Sequence, residues 1–313
     1  MGPLRSYNYL PLHFLCIFLL VSTGTAYSSW DPIFDTEDWI NHGGDLHNRR
    51  FSEEETKISR ITVSALRLKW ELHAGRDTSA TPAIFDRTLY FPSWNGYLYA
   101  VNSLDGSLIW KQKLQELSGL NATGFFLNVI MSRATPTIAD DLLIVGINGP
   151  AAVIAIERLS GRLVWSTRLD AHPSGVITMS GTNLNWLEAG PGGVVGGGTW
   201  GAATDERRVY TNIVNSNHKN FSQAISKEHN RWWMWPMVSS LLFGGSTNPK
   251  GPIYAIDIRT VIWANNTGVT VYGGMSVSNG HIYLGNGYRV GFGSLNPSFT
   301  AGTSIFAFCL YRS

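Results

Sequence analysis

The sequence predicts an all-β fold, a β-propeller of short repeats whose last strands end in tryptophan, and three observations carry that prediction. A phrase recurs: Ala80-Thr81-Pro82-Ala83-Ile84 opens one segment and Ala134-Thr135-Pro136-Thr137-Ile138 another, each followed by an aspartate and an apolar run. Each segment then passes through Tyr99-Ala100-Val101 or Ile154-Ala155-Ile156 and a turn, Asp105-Gly106 or Ser160-Gly161, to Leu108-Ile109-Trp110 or Leu163-Val164-Trp165. Finally, apolar and polar residues alternate with the period of half-buried antiparallel strands, and no helical stripe competes. Self-similarity at roughly 40 to 50 residues, built of short strands and tight turns, marks propeller blades. Asp-Gly and Ser-Gly suit hairpins because they tolerate φ > 0. A tryptophan at a fixed place per repeat can fill the gap between adjacent blades, its N–H needing one nearby carbonyl.

Further copies bring the total to about five recognisable blades. Gly201-Ala202-Ala203-Thr204-Asp205 with Val209-Tyr210-Thr211, the stretch from Met237 to Gly245, and Gly273-Gly274-Met275-Ser276-Val277 with His281-Ile282-Tyr283 each restart the pattern. Third strands recur as Ile253-Tyr254-Ala255-Ile256 and Ser304-Ile305-Phe306-Ala307-Phe308. That last copy has no tryptophan strand after it, whereas Leu66-Arg67-Leu68-Lys69-Trp70 has no blade before it. The two halves are expected to pair in one closing sheet, which removes two exposed edges.

The repeats break in two places. Trp186 follows Trp165 too closely for a blade to fit between them, and the stretch from Phe221 to Met237 contains Trp232-Trp233-Met234-Trp235 without a repeat phrase. That aromatic run reads as a ligand platform, a buried insertion or a replacement for a lost blade. The domain organisation expected is a signal peptide over 1–26, a covering segment over 27–60 and propeller repeats over 61–310, irregular at 171–200 and 221–243. A ring of fewer than four blades does not close.

Arg5, the apolar run from Leu10 to Val21 and Gly24-Thr25-Ala26 have the order of a secretory signal with a small-x-small cleavage site. The run is short for a membrane span. A secreted, extracellular protein with no membrane association after cleavage is therefore expected, and the sequons at Asn121, Asn220 and Asn265 fit that compartment as glycosylation sites. Cys16 lies in the signal and Cys309 is left unpaired. With 15% charged residues and a formal charge of +2, nothing in the charge balance calls for nucleic acid or an anionic membrane. His42 and His47 have no third ligand at useful spacing, so no metal site is expected from histidine. Gly190-Pro191-Gly192-Gly193 lacks the Lys-Ser/Thr of a phosphate loop and reads as a turn.

The opening Trp39-Ile40-Asn41-His42-Gly43-Gly44-Asp45, then Asn48-Arg49-Arg50-Phe51-Ser52, Ile58, Thr62-Val63, Leu66 and Trp70, resembles the N-terminal pattern of pyrroloquinoline-quinone (PQQ) dependent dehydrogenases. Within them it most resembles plant polyvinyl-alcohol-dehydrogenase-like proteins, over most of residues 38–310. The resemblance implies an eight-bladed propeller with PQQ on its axis and Ca²⁺ polarising a quinone oxygen while a base takes the alcohol proton. The substrate it implies is a small alcohol or polyol.

The resemblance also nominates site residues. Gly196-Gly197-Gly198-Thr199-Trp200-Gly201 is similar to the family's Gly-Gly-x-x-Trp-Gly, so Trp200 is a candidate floor for the quinone and Gly198 a point of close backbone approach. A core tryptophan in a turn is the alternative. Arg133 is a candidate for binding the anionic cofactor, since a guanidinium forks onto carboxylates; the alternative is a surface arginine. Asp205 is a candidate base or Ca²⁺ ligand, although Asp86 and Asp140 hold similar places in clear blades and argue for a turn. The chain departs from the family in having no adjacent cysteines, and the join near Gly181-Thr182 is where central blades are expected to be missing. A shortened dehydrogenase-like protein with impaired or no activity is one reading, and a non-catalytic propeller used for binding is the other.

Overall fold

The computed structural model describes residues 38–45, 49–52, 55–122, 128–168, 177, 180, 198–204, 209–213, 232–238, 241–257 and 260–311. The chain divides into Met1–Ile33 and Phe34–Ser313, and every described residue belongs to the second unit. The signal segment, Asn220 and Asp205 lie outside the described residues.

Strand β1 (Leu66–His73) precedes a first sheet of β2 (Ala83–Phe85), β3 (Thr88–Pro92), β4 (Tyr97–Asn102) and β5 (Leu108–Lys113), followed by the short helix α1 (Leu114–Ser118). The second sheet contains β6 (Thr137–Ala139), β7 (Leu142–Ile147), β8 (Ala152–Glu157) and β9 (Leu163–Arg168). A two-stranded sheet of β10 (Gly198–Thr204) and β11 (Val209–Ile213) comes next, then a four-stranded sheet of β12 (Trp232–Val238), β13 (Leu241–Ser246), β14 (Pro252–Asp257) and β15 (Thr260–Asn266). The last strands are β16 (Met275–Ser278), β17 (His281–Gly285) and β18 (Ser304–Leu310). All pairings within these sheets are antiparallel and, apart from that of β1, join strands consecutive in sequence, the pattern of a partial β-propeller.

Ring closure follows the sequence expectation. Strand β1 pairs with β18 from Leu66↔Leu310 to His73↔Ser304, giving a closing sheet in the order β1-β18-β17-β16. Its register repeats that of the other blades: Ala307 faces Trp70 as Ala100 faces Trp110, Ala155 faces Trp165 and Ala255 faces Trp263. In each of these four sheets the register shifts beside that pair, a β-bulge that bends the outer strand. The turn from first to second strand is also repeated, with positive φ at Asp86 (47°), Asp140 (52°) and Asn279 (51°). Aspartate and asparagine are there because they tolerate this region.

Tryptophans join the sheets through one device. Trp70 Nε1 donates to the Ser103 carbonyl at 3.0 Å and Trp110 Nε1 to the Arg158 carbonyl at 3.1 Å, each acceptor lying in the turn before the neighbouring sheet's last strand. Tyr283 and Tyr90 tilt against these indoles at the same centroid distance, 6.0 Å, and each hydroxyl reaches the same carbonyl as its tryptophan. Gly106 and Gly161, at φ 74° and 69°, let the turns lie flat on the rings: a Cβ would come 2.8 Å from Trp70 and 3.0 Å from Trp110. Trp263 is buried and meets Phe308 of β18 edge-on at 5.7 Å. Trp165, expected to be such an anchor, is 41% exposed, because no described sheet covers β9.

The segment 221–243, expected from the sequence to be irregular, contains β12. Trp232 to Val238 pairs with β13, and the register slips between Met234 and Met237, around Pro236. A proline with no N–H to give is tolerated at such a slip. Asp257 pairs directly with Thr260, a shorter connection than between β4 and β5 or between β8 and β9.

The N-terminal segment joins the first strands of two blades. Trp39 exchanges backbone hydrogen bonds with Ile84 of β2, and Ile138 of β6 donates to the Ile40 carbonyl at 2.8 Å. Trp39 itself is buried in the core with Ile58, Val63 and Leu66.

Candidate functional site

Three inter-strand connections bring aromatic residues to one place, and a fourth segment adds Met131. Between β3 and β4, Ser93 and Gly96 close a turn that presents Trp94, whose Nε1 donates to Ser79 Oγ at 2.7 Å. Ahead of β6, Met131 pairs with Asn148 as an isolated bridge. Tyr272 comes from the β15–β16 connection and Tyr288 from the β17–β18 connection; their rings stack at 3.5 Å and 8°. Trp94, Met131 and Tyr288 form a buried cluster, with Tyr272 and Phe299 against it.

Arg133 joins this cluster. Its Nη1 donates to Tyr288 Oη at 3.3 Å, and its guanidinium lies 5.7 Å from that ring's centroid. Burial pushes the Tyr272 phenol well above its ordinary range, Tyr288 adds to the effect and Arg133 opposes it. Tyr272 is therefore a neutral donor at physiological pH. Nothing local in the sequence marks Tyr272, Tyr288 or Trp94 as a group, because they come from three sheets.

Asp77 was also missed by sequence reasoning. Its Oδ2 accepts from Arg289 N at 2.9 Å and its Oδ1 from Gly302 N at 2.5 Å, so it ties the long β17–β18 connection to the first blade. Burial raises its pKa, against the pull of these two donors and Arg76. The only signal was a charge ahead of the Ala80-Thr81-Pro82 phrase.

Of the residues nominated from sequence, Trp200 and Gly198 lie in β10, whose register with β11 is irregular between Gly198 and Ala202. The described neighbours of β10 are β11 and β12. Asn121 is exposed and Asn265 half-exposed on β15. Thr267 of the latter sequon donates to the Gly251 and Val269 carbonyls.

Among the described residues no three His, Cys, Asp or Glu side chains gather to hold a cation, and the guanidinium meant for the quinone's carboxylates is engaged by a tyrosine.

A PQQ-repeat family model described as outer membrane protein assembly factor BamB matches residues 54–185. The outer membrane protein assembly factor BamB of Moranella endobia (strain PCIT) is 28% identical over 140 residues, 45% of this chain and 33% of that protein. The dehydrogenase subunit of a quinone alcohol dehydrogenase from Gluconobacter oxydans (strain 621H) is 26% identical over 151 residues, 48% of this chain and 19% of that protein. The chain therefore spans a third or less of these curated relatives. Among solved structures, a europium-containing methanol dehydrogenase superposes with a TM-score of 0.46 at 13% identity, covering 88% of this chain and 98% of that one. Over residues 54–185 the chain is thus similar to proteins built of PQQ repeats, and its sheets are those of a partial β-propeller.

Proposed function

We propose that this is a secreted quinoprotein alcohol dehydrogenase-like propeller in which PQQ- and Ca²⁺-dependent oxidation of an alcohol or polyol is impaired or lost. The observation that carries the reading is Arg133: the cation nominated to meet an anionic quinone is held against Tyr288. Similarity to the Gluconobacter dehydrogenase subunit supports the dehydrogenase-like origin. The Trp39 to Ser52 pattern supports the plant polyvinyl-alcohol-dehydrogenase-like branch. Trp200 and Gly198 are the candidate quinone floor and Asp205 the candidate base.

The test supplies purified chain with PQQ and CaCl₂ and follows alcohol-dependent dye reduction. No reduction above the cofactor blank is expected; turnover that disappears in Trp200→Ala would restore the enzyme. Export rests on Arg5, the apolar run and Gly24-Thr25-Ala26, and predicts that chain recovered from the medium of a eukaryotic host begins at Tyr27. An intact Met1 on the secreted chain would remove that part of the proposal.

A second reading, a non-catalytic binding module, is favoured by β9. Leu163, Val164 and Trp165 are all exposed on this outer strand, and the similarity to an assembly factor fits a propeller that acts by binding protein. On this reading those side chains serve a partner rather than the core.

A further inference from the structure

Tyr272 and Tyr288 are held together by backbone as well as by their rings. Gly287 N donates to the Thr270 carbonyl at 2.7 Å and Tyr288 N to the Thr300 carbonyl at 3.1 Å. Thr270 and Thr300 exchange two further bonds, each backbone N–H donating to the other's hydroxyl, at 2.7 and 3.0 Å. The β15–β16 and β17–β18 connections are thereby fastened to each other within two residues of each tyrosine. The rings then lie with their centroids 3.5 Å apart and their planes 8° from parallel.

That geometry places ring carbons of one phenol in van der Waals contact with those of the other. Reacting atoms about 3 to 3.5 Å apart, fixed before reaction, turn a bimolecular step into an effectively unimolecular one. Tyr97 and Tyr99 of β4 show what a merely neighbouring pair looks like: their rings are 6.3 Å apart and tilted by 50°.

The reaction open to two phenols in contact is oxidative coupling. A one-electron oxidant takes an electron and a proton from a phenol, and the phenoxyl left behind carries spin on the carbons ortho to its oxygen. Burial keeps the Tyr272 phenol protonated well above its ordinary range, so there the electron and proton leave together. Tyr272 is half-buried and Tyr288 buried, which makes Tyr272 the ring the oxidant reaches and Tyr288 the partner already lying on its face.

We propose that Tyr272 and Tyr288 are an oxidative modification site, closing to an intrachain dityrosine with hydrogen peroxide, activated by a haem peroxidase, as the oxidant. Each phenol gives up one electron and its hydroxyl proton. A carbon–carbon bond forms between an ortho carbon of each ring, and each ortho hydrogen moves to its own ring's oxygen as aromaticity returns. The two electrons and two protons reduce one hydrogen peroxide to two waters. The new bond ties the β15–β16 connection to the β17–β18 connection where the stack already joins them.

The experiment treats the whole purified chain, dilute enough to stay monomeric, with a haem peroxidase and hydrogen peroxide. Dityrosine is read by its blue fluorescence and by peptide mapping. Trypsin with chymotrypsin, which cuts after Leu284, separates the two tyrosines unless they are joined. Wild type should yield a fragment linked from Tyr272 to Tyr288 and lighter than its two parts by two hydrogens. Tyr288→Phe and Tyr272→Phe keep a ring in the stack but have no phenol to oxidise, and each should lose that fragment, whereas Tyr97→Phe should retain it. The same oxidation of wild type unfolded in urea should lower its yield about tenfold or more, because the fixed geometry is gone; this comparison needs no variant to fold. Absence of the linked fragment from folded wild type would overturn the proposal. So would equal yields from folded and unfolded chain, or the same cross-link fluorescence from Tyr288→Phe as from wild type.

Discussion

Replacing Trp110 by alanine tests how the blades are held together. The indole is half-buried between the first and second sheets, donates to the Arg158 carbonyl at 3.1 Å, tilts on Tyr90 and carries Gly161 on its face. Truncating a fully buried aromatic costs about 3 to 5 kcal/mol. Partial burial puts Trp110 at the lower end for packing, and the lost hydrogen bond adds about 1 kcal/mol. A loss of about 3 to 4 kcal/mol is a large share of a domain's usual 5 to 15 kcal/mol, and lowers the melting temperature by roughly 6 to 16 °C at about 2 to 4 °C per kcal/mol. Trp165→Ala is the internal control, since its ring is 41% exposed: it should cost less than about 1 kcal/mol. Urea midpoints by far-UV circular dichroism avoid the lost fluorophore. Equal losses for the two variants, or a wild-type midpoint for Trp110→Ala, would refute the docking argument.

Three other outcomes are expected. Removing residues 27–75 takes β1 from the closing sheet and leaves β18 as an open edge, so the truncated chain should associate on size exclusion with light scattering; a monomer would count against the pairing. Gly106→Ala places a methyl 2.8 Å from the Trp70 ring at positive φ and should cost about 1 to 3 kcal/mol in urea unfolding, whereas Gly119→Ala, at positive φ but with open space, should cost less. His281 is held neutral, chiefly by burial, with Asn279 O beside Nδ1 and Lys69 Nζ 3.0 Å from Nε2. Its folded pKa lies below 6.5, so its contribution is present above that value and lost as pH falls through the depressed one. The acid slope of the urea midpoint should flatten in His281→Gln, and an unchanged slope would assign the loss elsewhere.

What the sequence revealed was local. The Ala100–Trp110 and Ala155–Trp165 intervals encode a shared register with its bulge, and Asp86, Asp140 and Asn279 mark a turn that needs φ > 0, so the repeat was readable from residue type and spacing. Strand β12 was not. Trp-Trp-Met-Trp-Pro-Met-Val has no period-two contrast when large apolar residues fill both faces, and its proline sits where the register slips. The Trp94, Tyr272 and Tyr288 cluster was invisible for another reason: its members come from three sheets and meet only when the blades dock. Arg133 was picked out as an anion ligand because a guanidinium suits that role; its contact with Tyr288, from a distant loop, is one that no local pattern encodes.

The docking device has a direction, and the direction explains why both ends of the described propeller meet in one sheet. Trp263 carries the third four-stranded sheet onto the closing sheet through Phe308, Trp70 carries the closing sheet onto the first through Ser103, and Trp110 carries the first onto the second through Arg158. In each case a last strand meets the sheet next in order. The closing sheet has a last strand to offer only because β1 supplies it from the opposite end of the chain, so Trp70 does two jobs that Trp110 does once: it packs between blades and is borne by the strand that covers the β18 edge. Pairing β1 with β18 without Trp70 would cover the edge but leave the Ser103 carbonyl and the flat turn at Gly106 without the ring they are shaped for. Docking Trp70 without the pairing is not possible, because Trp70 is held opposite Ala307 by that register. Covering the β18 edge and docking the closing sheet onto the first therefore depend on the same strand, and the exposed Trp165 marks where the described series of docked blades ends.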